Sequence, residues 1–475
     1  MTIDYNYDIR TQFKYVTLNS TGAIKDIYER IGKNDVFGVV DMMDNNDTEV
    51  ECAIKEYNTQ THKVKGRPNK PRNNMPAYIT EKLPRNKQQY INEVELFFLF
   101  GKEPTWKLED GDAMVLSSFN RFMRKFRIYG LLRKAKRLAG AETESAIIFN
   151  LTRNTDGTIN IKPFVAARSL GYKLRPMFDQ YGDLIALAYG YRIRKGGKNE
   201  LHYDILTKDF TFLCTKGEKG WEVETYDNPT GKINALYFKQ KKAWDGAVER
   251  IHREEMLDSK VGDTNNYFAD PKAAATADVI ANISDPEVAG NMVQLTGAGS
   301  KFEYINPPQN SVTRQDEKLD LHKSIFFDTF TPDLSYESIK GLGTLSGAAM
   351  HNALILGYMK RDILREIYEP MLDRMRSVIF EILRLTEPKI AGKLDDTLLT
   401  CELTDPFATN MDNWDAIMKL YAAGLCSLET AIKKIALAEN VDEEIDRIKM
   451  NAMELEFVRN EAKNEGQQNQ QEEEE

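Results

Sequence analysis

The chain has 475 residues and a mass of 54.4 kDa, and 41% of its residues are hydrophobic, 10% aromatic and 29% charged. This amount of apolar surface offsets the entropy cost of folding and excludes a wholly disordered protein. Its 64 Lys and Arg residues against 73 Asp and Glu residues give a net charge of −9, which argues against a protein that coats DNA with a net basic surface. At about 150 residues per domain, the length predicts roughly three domains.

The four cysteines are scattered without a CxxC pair, which predicts free thiols rather than a zinc site or a disulfide framework. No apolar run approaches the ~20 residues that a membrane span needs. The first ten residues, MTIDYNYDIR, also lack the basic and then apolar pattern of a signal peptide. These features predict a protein of a reducing, cytosol-like compartment.

Two features mark the first part of the chain. Residues 41–47 are rich in Asp and Asn and predict a surface loop. Residues 61–85 then contain four prolines among seven Lys and Arg residues. Each proline removes a backbone donor and restricts the residue before it, so this stretch is not a regular helix. It is predicted to be a long basic excursion on the surface.

A basic amphipathic helix is predicted over residues 119–137. Eight basic residues and no acidic one lie between Asp112 and Glu142, and apolar residues interleave with them at mostly helical spacing. One interpretation is a face that binds phosphate or nucleic acid. The other is a solvated face whose long side chains cover apolar surface. The candidate residues for a basic surface are Arg121, Arg124, Lys125 and Arg127.

An antiparallel β region is predicted between residues 145 and 238. Apolar, β-branched and aromatic runs are separated by turn signals such as Gly196-Gly197. No helix-length crossover separates the runs, which favours a meander or a sandwich over a parallel sheet. The predicted strands are residues 146–151, 184–193, 201–206 and 210–213.

Helical patterns dominate the rest of the chain. Helices are predicted over residues 244–257, from Thr313 to about residue 330, and over residues 348–385, the longest pattern of all. A small α/β insertion is predicted over residues 263–308.

The last part of the chain is predicted to be helical as well. Ser427 and Asp442 are expected to cap two of its helices. The tail, residues 464–475, is acidic and of low complexity, which predicts disorder.

Enzyme motifs are incomplete in this sequence. The segment ending in Gly231-Lys232 lacks both the first glycine and the Ser or Thr of a phosphate-binding loop. Ser346 has no leading glycine of a nucleophile elbow and fits a helix cap better. The five histidines never pair at the spacing of metal ligands. We therefore expect no catalytic residue, no metal site and no cofactor.

The order of these elements resembles that of the portal proteins of tailed bacteriophages, the head-to-tail connectors. The strongest similarity is in residues 331–350, TPDLSYESIKGLGTLSGAAM, which is similar to the family's PDxS…E…G…SGxAL passage. Residues 226–238 resemble the strand that leads into the first stem helix, and residues 244–248 resemble the start of that helix. Residues 424–448 are similar to the crown region. The resemblance extends from about residue 20 to 460, by layout alone over the first ~200 residues, and it does not account for residues 61–85.

The resemblance implies an α+β fold of the portal type, mainly helical, with an antiparallel β region in the wing. Its parts are expected at residues 1–241 (N-terminal part of the wing), 242–262 (first stem helix), 263–312 (clip), 313–330 (second stem helix), 331–346 (channel loop), 347–400 (long wing helix), 401–463 (crown) and 464–475 (disordered acidic tail).

The resemblance also implies the function. Portal proteins form a dodecameric ring at one capsid vertex, through which double-stranded DNA is packaged and ejected, and the portal itself hydrolyses nothing. An acidic balance suits such a channel, because each added Lys or Arg contact would hold the DNA. The implied partners are further copies of the chain, double-stranded DNA bound transiently and without sequence specificity, the terminase large subunit, a head-completion or adaptor protein, and the major capsid and scaffolding proteins. The implied location is the virion, after assembly in the host cytoplasm, with no membrane contact.

Two sets of site residues follow from the resemblance. The channel loop contains the single basic residue Lys340 beside small residues, namely Gly341, Gly343 and Ser346. A ring of these lysines is expected to touch passing phosphates. The clip is expected to bind the terminase and the adaptor through Asn265, Asn266, Tyr267, Phe268, Val293, Phe302 and Tyr304.

Two other functions stay open at the level of sequence. One is a metal-dependent nuclease or nucleotidyltransferase that uses scattered carboxylates and grips DNA with the basic helix. The other is a different capsid component, a scaffold or an adaptor, which would have another stoichiometry and no central channel.

Overall fold

The structure is a computed structural model. It describes residues 20–72, 75–154, 158–269, 273–275, 302–304, 311–335, 353–407, 417–435 and 444–451. The described residues up to Thr404 form one compact unit, and those from Asp405 onward belong to a second.

Three helices open the first unit: α1 (Ser20–Gly32), α2 (Val36–Met42) and α3 (Asp47–Tyr57). The loop predicted at residues 41–47 is shorter than expected, because α2 continues through Met42 and α3 begins at Asp47. The Asp47 carboxylate accepts a hydrogen bond from Arg175 at 2.5 Å, so the end of this polar run is tied to the β region.

A five-stranded antiparallel meander confirms the predicted β region. Each strand pairs with its neighbour in sequence, and the two-residue turn at Gly196-Gly197 has positive φ at both positions, which glycine adopts without strain. The two outer strands, β6 (Lys173–Phe178) and β10 (Gly220–Asp227), were not predicted from the sequence, since β6 contains Pro176 and β10 is largely exposed and polar. The strands are β6 (Lys173–Phe178), β7 (Leu184–Lys195), β8 (Lys198–Leu206), β9 (Phe210–Gly217) and β10 (Gly220–Asp227).

A three-stranded sheet lies between this meander and the helices. It contains β4 (Glu144–Arg153), β5 (Ile159–Ala166) and β11 (Ala235–Lys239), with β4 in the middle. Ala146 and Ile148 face the meander in one apolar cluster, whereas Ile147 and Phe149 face the helices in another. This period of two is that of a strand buried on both faces. The sequence left a meander and a sandwich open, and the fold contains both.

The helical layer packs on the other side of this sheet. It contains α4 (Lys87–Phe100), α5 (Ala113–Lys125), α6 (Ile128–Glu142) and α9 (Ile355–Thr386). The long pattern predicted over residues 348–385 is helical from Ile355, its earlier residues lying largely outside the described part. Pro370 lies inside α9 without ending it. A short antiparallel pair of strands, β3 (Thr105–Asp110) and β14 (Leu398–Glu402), extends this layer.

The single basic helix predicted over residues 119–137 is wrong: two helices, α5 and α6, meet at Phe126-Arg127. Arg127 has φ of +52°, a left-handed conformation that interrupts the helical hydrogen bonds. Neither glycine nor proline marks the break in the sequence. The apolar side chains of both helices still face one core, which includes Phe119, Phe122 and Leu132.

The break at Arg127 gives a test of backbone strain. We expect Arg127→Gly to fold at least as stably as the parent chain, because glycine adopts positive φ freely. Arg127→Val should destabilise the chain by about 1–2 kcal/mol, since a β-branched residue is strained in the left-handed region. Thermal unfolding of the two variants checks this, and equal midpoints would contradict it.

Two further helices follow the β region: α7 (Val248–Ala269) and α8 (Ser311–Asp328). The first stem helix, predicted at residues 242–262, starts later, since residues 243–246 form turns in which Trp244 is fully buried. It also ends later, so the first residues of the predicted clip, 263–269, are helical. The short strands β12 (Ala273–Ala275) and β13 (Phe302–Tyr304) pair antiparallel.

The described part of the second unit is helical, as predicted for the C-terminal region. Its helix α10 (Leu428–Ile435) starts where the sequence places a cap. The Ser427 hydroxyl accepts a hydrogen bond from the Thr430 backbone N–H at 3.2 Å, which confirms Ser427 as the N-cap. Asp442 and residues 464–475 lie outside the described residues.

Candidate functional site

Helices α7 and α8 lie side by side and run in opposite directions. Arg250, near the start of α7, pairs with Asp328 at the end of α8, and Asp258 pairs with Lys318 at 2.7 Å. Residue numbers therefore rise along one helix as they fall along the other. An apolar cluster anchors the pair near Arg250, and its buried members are Ile91, Ala243, Trp244, Ala247, Ile251, Ile325 and Phe326.

A row of polar side chains along α7 is buried although the helix lies beyond the main core. Glu255, Ser259 and Asp263 are each less than a tenth exposed. They are four residues apart, which places them one above another on a single helix face. Buried carboxylates need partners, so another segment must cover this face.

The cover is the segment of residues 58–86, here called the strap, which includes the proline-rich stretch. Within it, the short strands β1 (Lys70–Arg72) and β2 (Met75–Tyr78) pair antiparallel. Its extended part donates alternate backbone N–H groups to the row: Arg85 to Glu255 at 2.8 Å, Leu83 to Ser259 at 3.0 Å and Glu81 to Asp263 at 2.7 Å. Two residues of extended chain rise about 6.6 Å and four residues of helix about 6 Å, so the two repeats stay in register. Pro84 lies at an alternate position, where no donor is needed.

Charged side chains of the strap reinforce this register. Arg67 pairs with Asp263 at 2.8 Å, and Arg85 pairs with Asp258 at 2.5 Å. Burial alone would raise the pKa of Asp263, but the hydrogen bond from the Glu81 N–H and the Arg67 guanidinium outweigh it and hold the pKa below its ordinary value. The basic stretch predicted to be a surface excursion is therefore a docked segment.

His62 fastens the other end of the strap. Its Nδ1 lies 2.6 Å from the Glu255 carboxylate, and its Nε2 lies 2.8 Å from the Glu56 carbonyl oxygen. A carbonyl oxygen only accepts, and Glu255 Oε1 already accepts from the Arg85 N–H, so both imidazole nitrogens serve as donors. Burial alone would lower the pKa of His62, but the bond to Glu255 outweighs it and raises the pKa.

The raised pKa of His62 predicts that strap docking weakens at alkaline pH. The contribution of His62 is complete below its ordinary pKa of about 6.5 and is lost as the pH rises through the higher value of the folded chain. The rate of trypsin cleavage at strap lysines, measured from pH 6 to 9, checks this. After correction for the pH profile of trypsin itself, the rate in the parent chain should rise with pH. His62→Gln should be cleaved faster at pH 6 and respond less to pH. Parallel profiles for the two chains would contradict the assignment.

The four residues of the predicted basic surface differ in their contacts. Arg121, Arg124, Lys125 and Arg127 are all exposed, but Arg121 pairs with Glu387 at 3.0 Å. Arg121 and Lys125 line an open groove of about 320 Å³ that is partly apolar. The ion pair of Arg121 agrees with the interpretation as a solvated face, and phosphate binding there stays a prediction.

Two basic residues of the same stretch pair with carboxylates of α4. Lys136 of α6 is completely buried, and its Nζ lies 2.5 Å from the Glu95 carboxylate of α4. The other Glu95 oxygen lies 3.0 Å from Lys360 of α9. Arg137 forms two hydrogen bonds with Glu93. Both cations are paired with carboxylates of α4, which agrees with a structural role rather than with a phosphate-binding face.

Only part of the predicted clip and channel loop lies within the described residues. Asn265 and Asn266 are in the last turns of α7, where the Asn266 amide donates to Glu81 of the strap at 2.7 Å. Tyr267 and Phe268 are in the same helix, and Phe302 and Tyr304 are in β13. Outside the described residues lie Val293, Lys340, Gly341, Gly343 and Ser346.

Sequence reasoning missed the acceptors on α7. The signal was present as an unusual run, Glu254-Glu255 with Asp258 and Asp263, opposite in charge to the strap. Nothing in the sequence says which distant segment meets which, since Arg67 and Asp263 are 196 positions apart.

Two properties of the described residues bear on the alternatives. No group of three or more His, Cys, Asp or Glu side chains in the described ranges is placed to hold a metal ion. Among the helices that the structure describes, each is too short or too polar to cross a membrane.

Comparison with known proteins identifies the family. A sequence model described as "Phage portal protein, SPP1 Gp6-like" matches residues 43–455, which is most of the chain. The chain belongs to this phage portal protein family. It is a structural family of the phage virion, and the match spans the strap, both sheets and the α7–α8 pair. No match was found among curated proteins.

Solved structures of gene transfer agent (GTA) particles resemble the chain only distantly. The neck of an empty GTA particle, computed with C6 symmetry, shares 11% identity with a TM-score of 0.42 and covers 74% of this chain and 90% of its own. The virion of the native gene transfer agent particle shares 10% identity with a TM-score of 0.41, over 84% and 95%. The neck of the native particle, computed with C12 symmetry, shares 12% identity with a TM-score of 0.41, over 75% and 91%. The family assignment rests on the sequence match alone.

Proposed function

We propose that this portal-family chain forms a dodecameric ring at one capsid vertex and that double-stranded DNA passes through the ring during packaging and ejection. The observation that carries the proposal is the family match over residues 43–455. The antiparallel helices α7 and α8 support it, because two helices packed side by side can form one segment of a channel wall. The chain itself hydrolyses nothing in this proposal and needs no cofactor.

We propose the following parts of a portal subunit for the elements of the fold. The stem is α7 and α8, and the clip is the segment between them. The wing contains the two sheets with α1–α6 and α9, and the crown follows β14. The channel loop between α8 and α9 carries Lys340, which we expect to touch DNA phosphates in passing. After ring assembly, the clip binds the terminase and then a head-completion or adaptor protein, while the wing meets capsid and scaffolding proteins.

The net charge of −9 supports a sliding role. Each phosphate neutralised by a Lys or Arg releases counterions and adds affinity, and a wall with many such contacts would hold the DNA. A transient and sequence-independent contact is therefore the expected mode of DNA binding.

The stoichiometry of the purified chain tests the proposal. Mass photometry at low concentration should show particles of about twelve times the 54.4 kDa chain mass. A single species of one or two chains that persists after addition of scaffolding protein would overturn the ring.

Two variants test the assigned parts. Lys340→Ala particles should package less DNA than the parent, and normal packaging would remove Lys340 from the channel contact. Deleting the segment between α7 and α8 should abolish adaptor binding while rings still form, and binding that persists would contradict the clip assignment.

The metal-dependent nuclease remains a distinct alternative with a direct test. Incubation of the purified chain with duplex DNA and Mg²⁺ should leave the DNA intact. Cleavage that is lost on substitution of a single carboxylate would replace the portal proposal with an enzymatic one.

A further inference from the structure

The strap and α8 lie on roughly opposite sides of α7. A helix turns about 100° per residue. The residues that accept bonds from the strap, Glu255, Ser259 and Asp263, therefore face away from Arg250 and Arg253, which pair with α8. The strap, α7 and α8 thus form three successive layers with two outer edges.

The outer edge of α8 carries a row of exposed apolar side chains. Val312 is 65% exposed, Leu319 56% and Phe327 68%. Their spacing of seven and eight residues places them on one face of the helix. Glu317 and the buried Ile325 occupy the opposite face, toward α7. Single exposed apolar residues are ordinary, but a row along one helix face is a feature of interfaces.

The outer edge of the strap is also apolar. Ile79 is 74% exposed and Leu83 is 43% exposed, although the backbone N–H of Leu83 is bound to Ser259. The Cδ1 atom of Leu83 lies against Gly262 of α7, and the rest of this side chain is open at the flank of the strap. The strap also carries positive charge: Lys82 alternates with Ile79 and Leu83 along the extended chain, and Lys70, which pairs with Asp263 at 3.9 Å, is 64% exposed.

The two apolar edges lie at the same height along α7. Leu83 is bound at Ser259, and Lys318, next to Leu319, is bound at Asp258. Asp258 also holds Arg85, so one carboxylate ties both edges to the same turn of the helix. On the α8 edge, the acidic Asp316 and Asp320 and the basic Lys323 are exposed near Leu319, and the two carboxylates are complementary to the strap lysines.

We propose that the strap of one subunit docks on the outer face of α8 of the next copy of this chain, with Leu83 meeting Leu319. A closed ring requires such a heterologous contact, in which two different patches of each subunit meet. A rotation about an axis roughly parallel to α7 brings patches of equal height together. The inference rests on the proposed ring and adds the surfaces that close it.

Paired cysteines test this contact, since a heterologous interface cannot join two copies of one patch. Leu83→Cys alone and Leu319→Cys alone should give no cross-linked product above that of the parent chain, whose Cys52 is exposed. The double variant should give a ladder of covalent multimers on a non-reducing gel after mild oxidation. Met114→Cys combined with Leu319→Cys is the matched control, because Met114 is 51% exposed on another surface, and it should give no ladder.

The failures of the contact and of the ring are distinguishable. Rings of the expected mass without a ladder in the double variant would overturn the contact and leave the ring intact. Dimers from Leu319→Cys alone would show that two α8 faces meet and would also overturn it. Absence of rings in the parent chain would remove the proposed function together with this inference. As a second measurement, Leu319→Lys should lower ring yield at least tenfold at equal chain concentration, while Met114→Lys should not.

Discussion

Replacing Glu95 with Leu is expected to destabilise the chain by about 3–5 kcal/mol, the largest effect of any single change proposed here. Glu95 accepts from Lys136 at 2.5 Å and pairs with Lys360 at 3.0 Å, joining α6 and α9 to α4. Burial alone would raise the pKa of Glu95, but the charges of the two lysines outweigh it and lower the pKa. Without the carboxylate, the Lys136 ammonium is left completely buried and unpaired.

Two matched variants separate charge from packing at this site. Lys136→Met should cost less than Glu95→Leu, because Glu95 keeps Lys360 and methionine fills the space of the lysine stem. Lys198→Met, which removes an exposed pair with Glu218, should have no measurable effect. Equilibrium denaturation of the three variants gives the comparison. Equal losses for Glu95→Leu and Lys198→Met would contradict the assignment of Glu95 as the centre of the helical layer.

Asp263→Ala is expected to release the strap and cost about 2–3 kcal/mol, since hydrogen bonds to a buried charge are worth more than neutral ones. The change removes the acceptor of Arg67 Nη2 and of the Glu81 N–H, while Arg67 Nη1 still donates to the Glu81 carbonyl oxygen. Trypsin should then cleave the strap faster, and backbone hydrogens in the second half of α7 should exchange faster than in the parent. Asp263→Asn keeps an acceptor for the N–H but loses the charge, and should be intermediate.

The pH dependence of strap release has the opposite sign at Asp263 and at His62. Because the pKa of Asp263 is held below its ordinary value, its contribution is complete above about pH 4 and is lost as the pH falls through the lower value of the folded chain. The strap should thus dock best between the two limits. Strap cleavage in Asp263→Ala that is as slow as in the parent chain would contradict the whole account of the strap.

How much the sequence predicts depends on whether the cause is local. The meander is predictable because Gly196-Gly197 forms the turn by its own conformational freedom. The helices α8 and α9 are predictable because their apolar residues recur at helical spacing, whereas the second half of α7 buries the polar residues Ser259 and Asp263 and extends into the predicted clip. The break at Arg127 is not, since a non-glycine residue there adopts positive φ only because both flanking helices are held by the same core.

The polar contacts lie beyond local reasoning altogether. Lys136 has the sequence context of a basic surface, and only the fold brings α4 and its Glu95 to within 2.5 Å. The strap likewise appears as a loop in sequence, because its hydrogen-bond acceptors lie some 170 or more positions away on α7. Ion pairs of this kind depend on topology, and the sequence specifies them only through the whole fold.

Electron microscopy of the purified full chain tests the central claim most directly. Negative-stain class averages viewed down the symmetry axis should show a twelve-fold ring with a central hole wide enough for a DNA duplex. Discrete monomers or two-fold dimers that cut DNA in the presence of Mg²⁺ would contradict the portal proposal and favour a carboxylate-based enzyme.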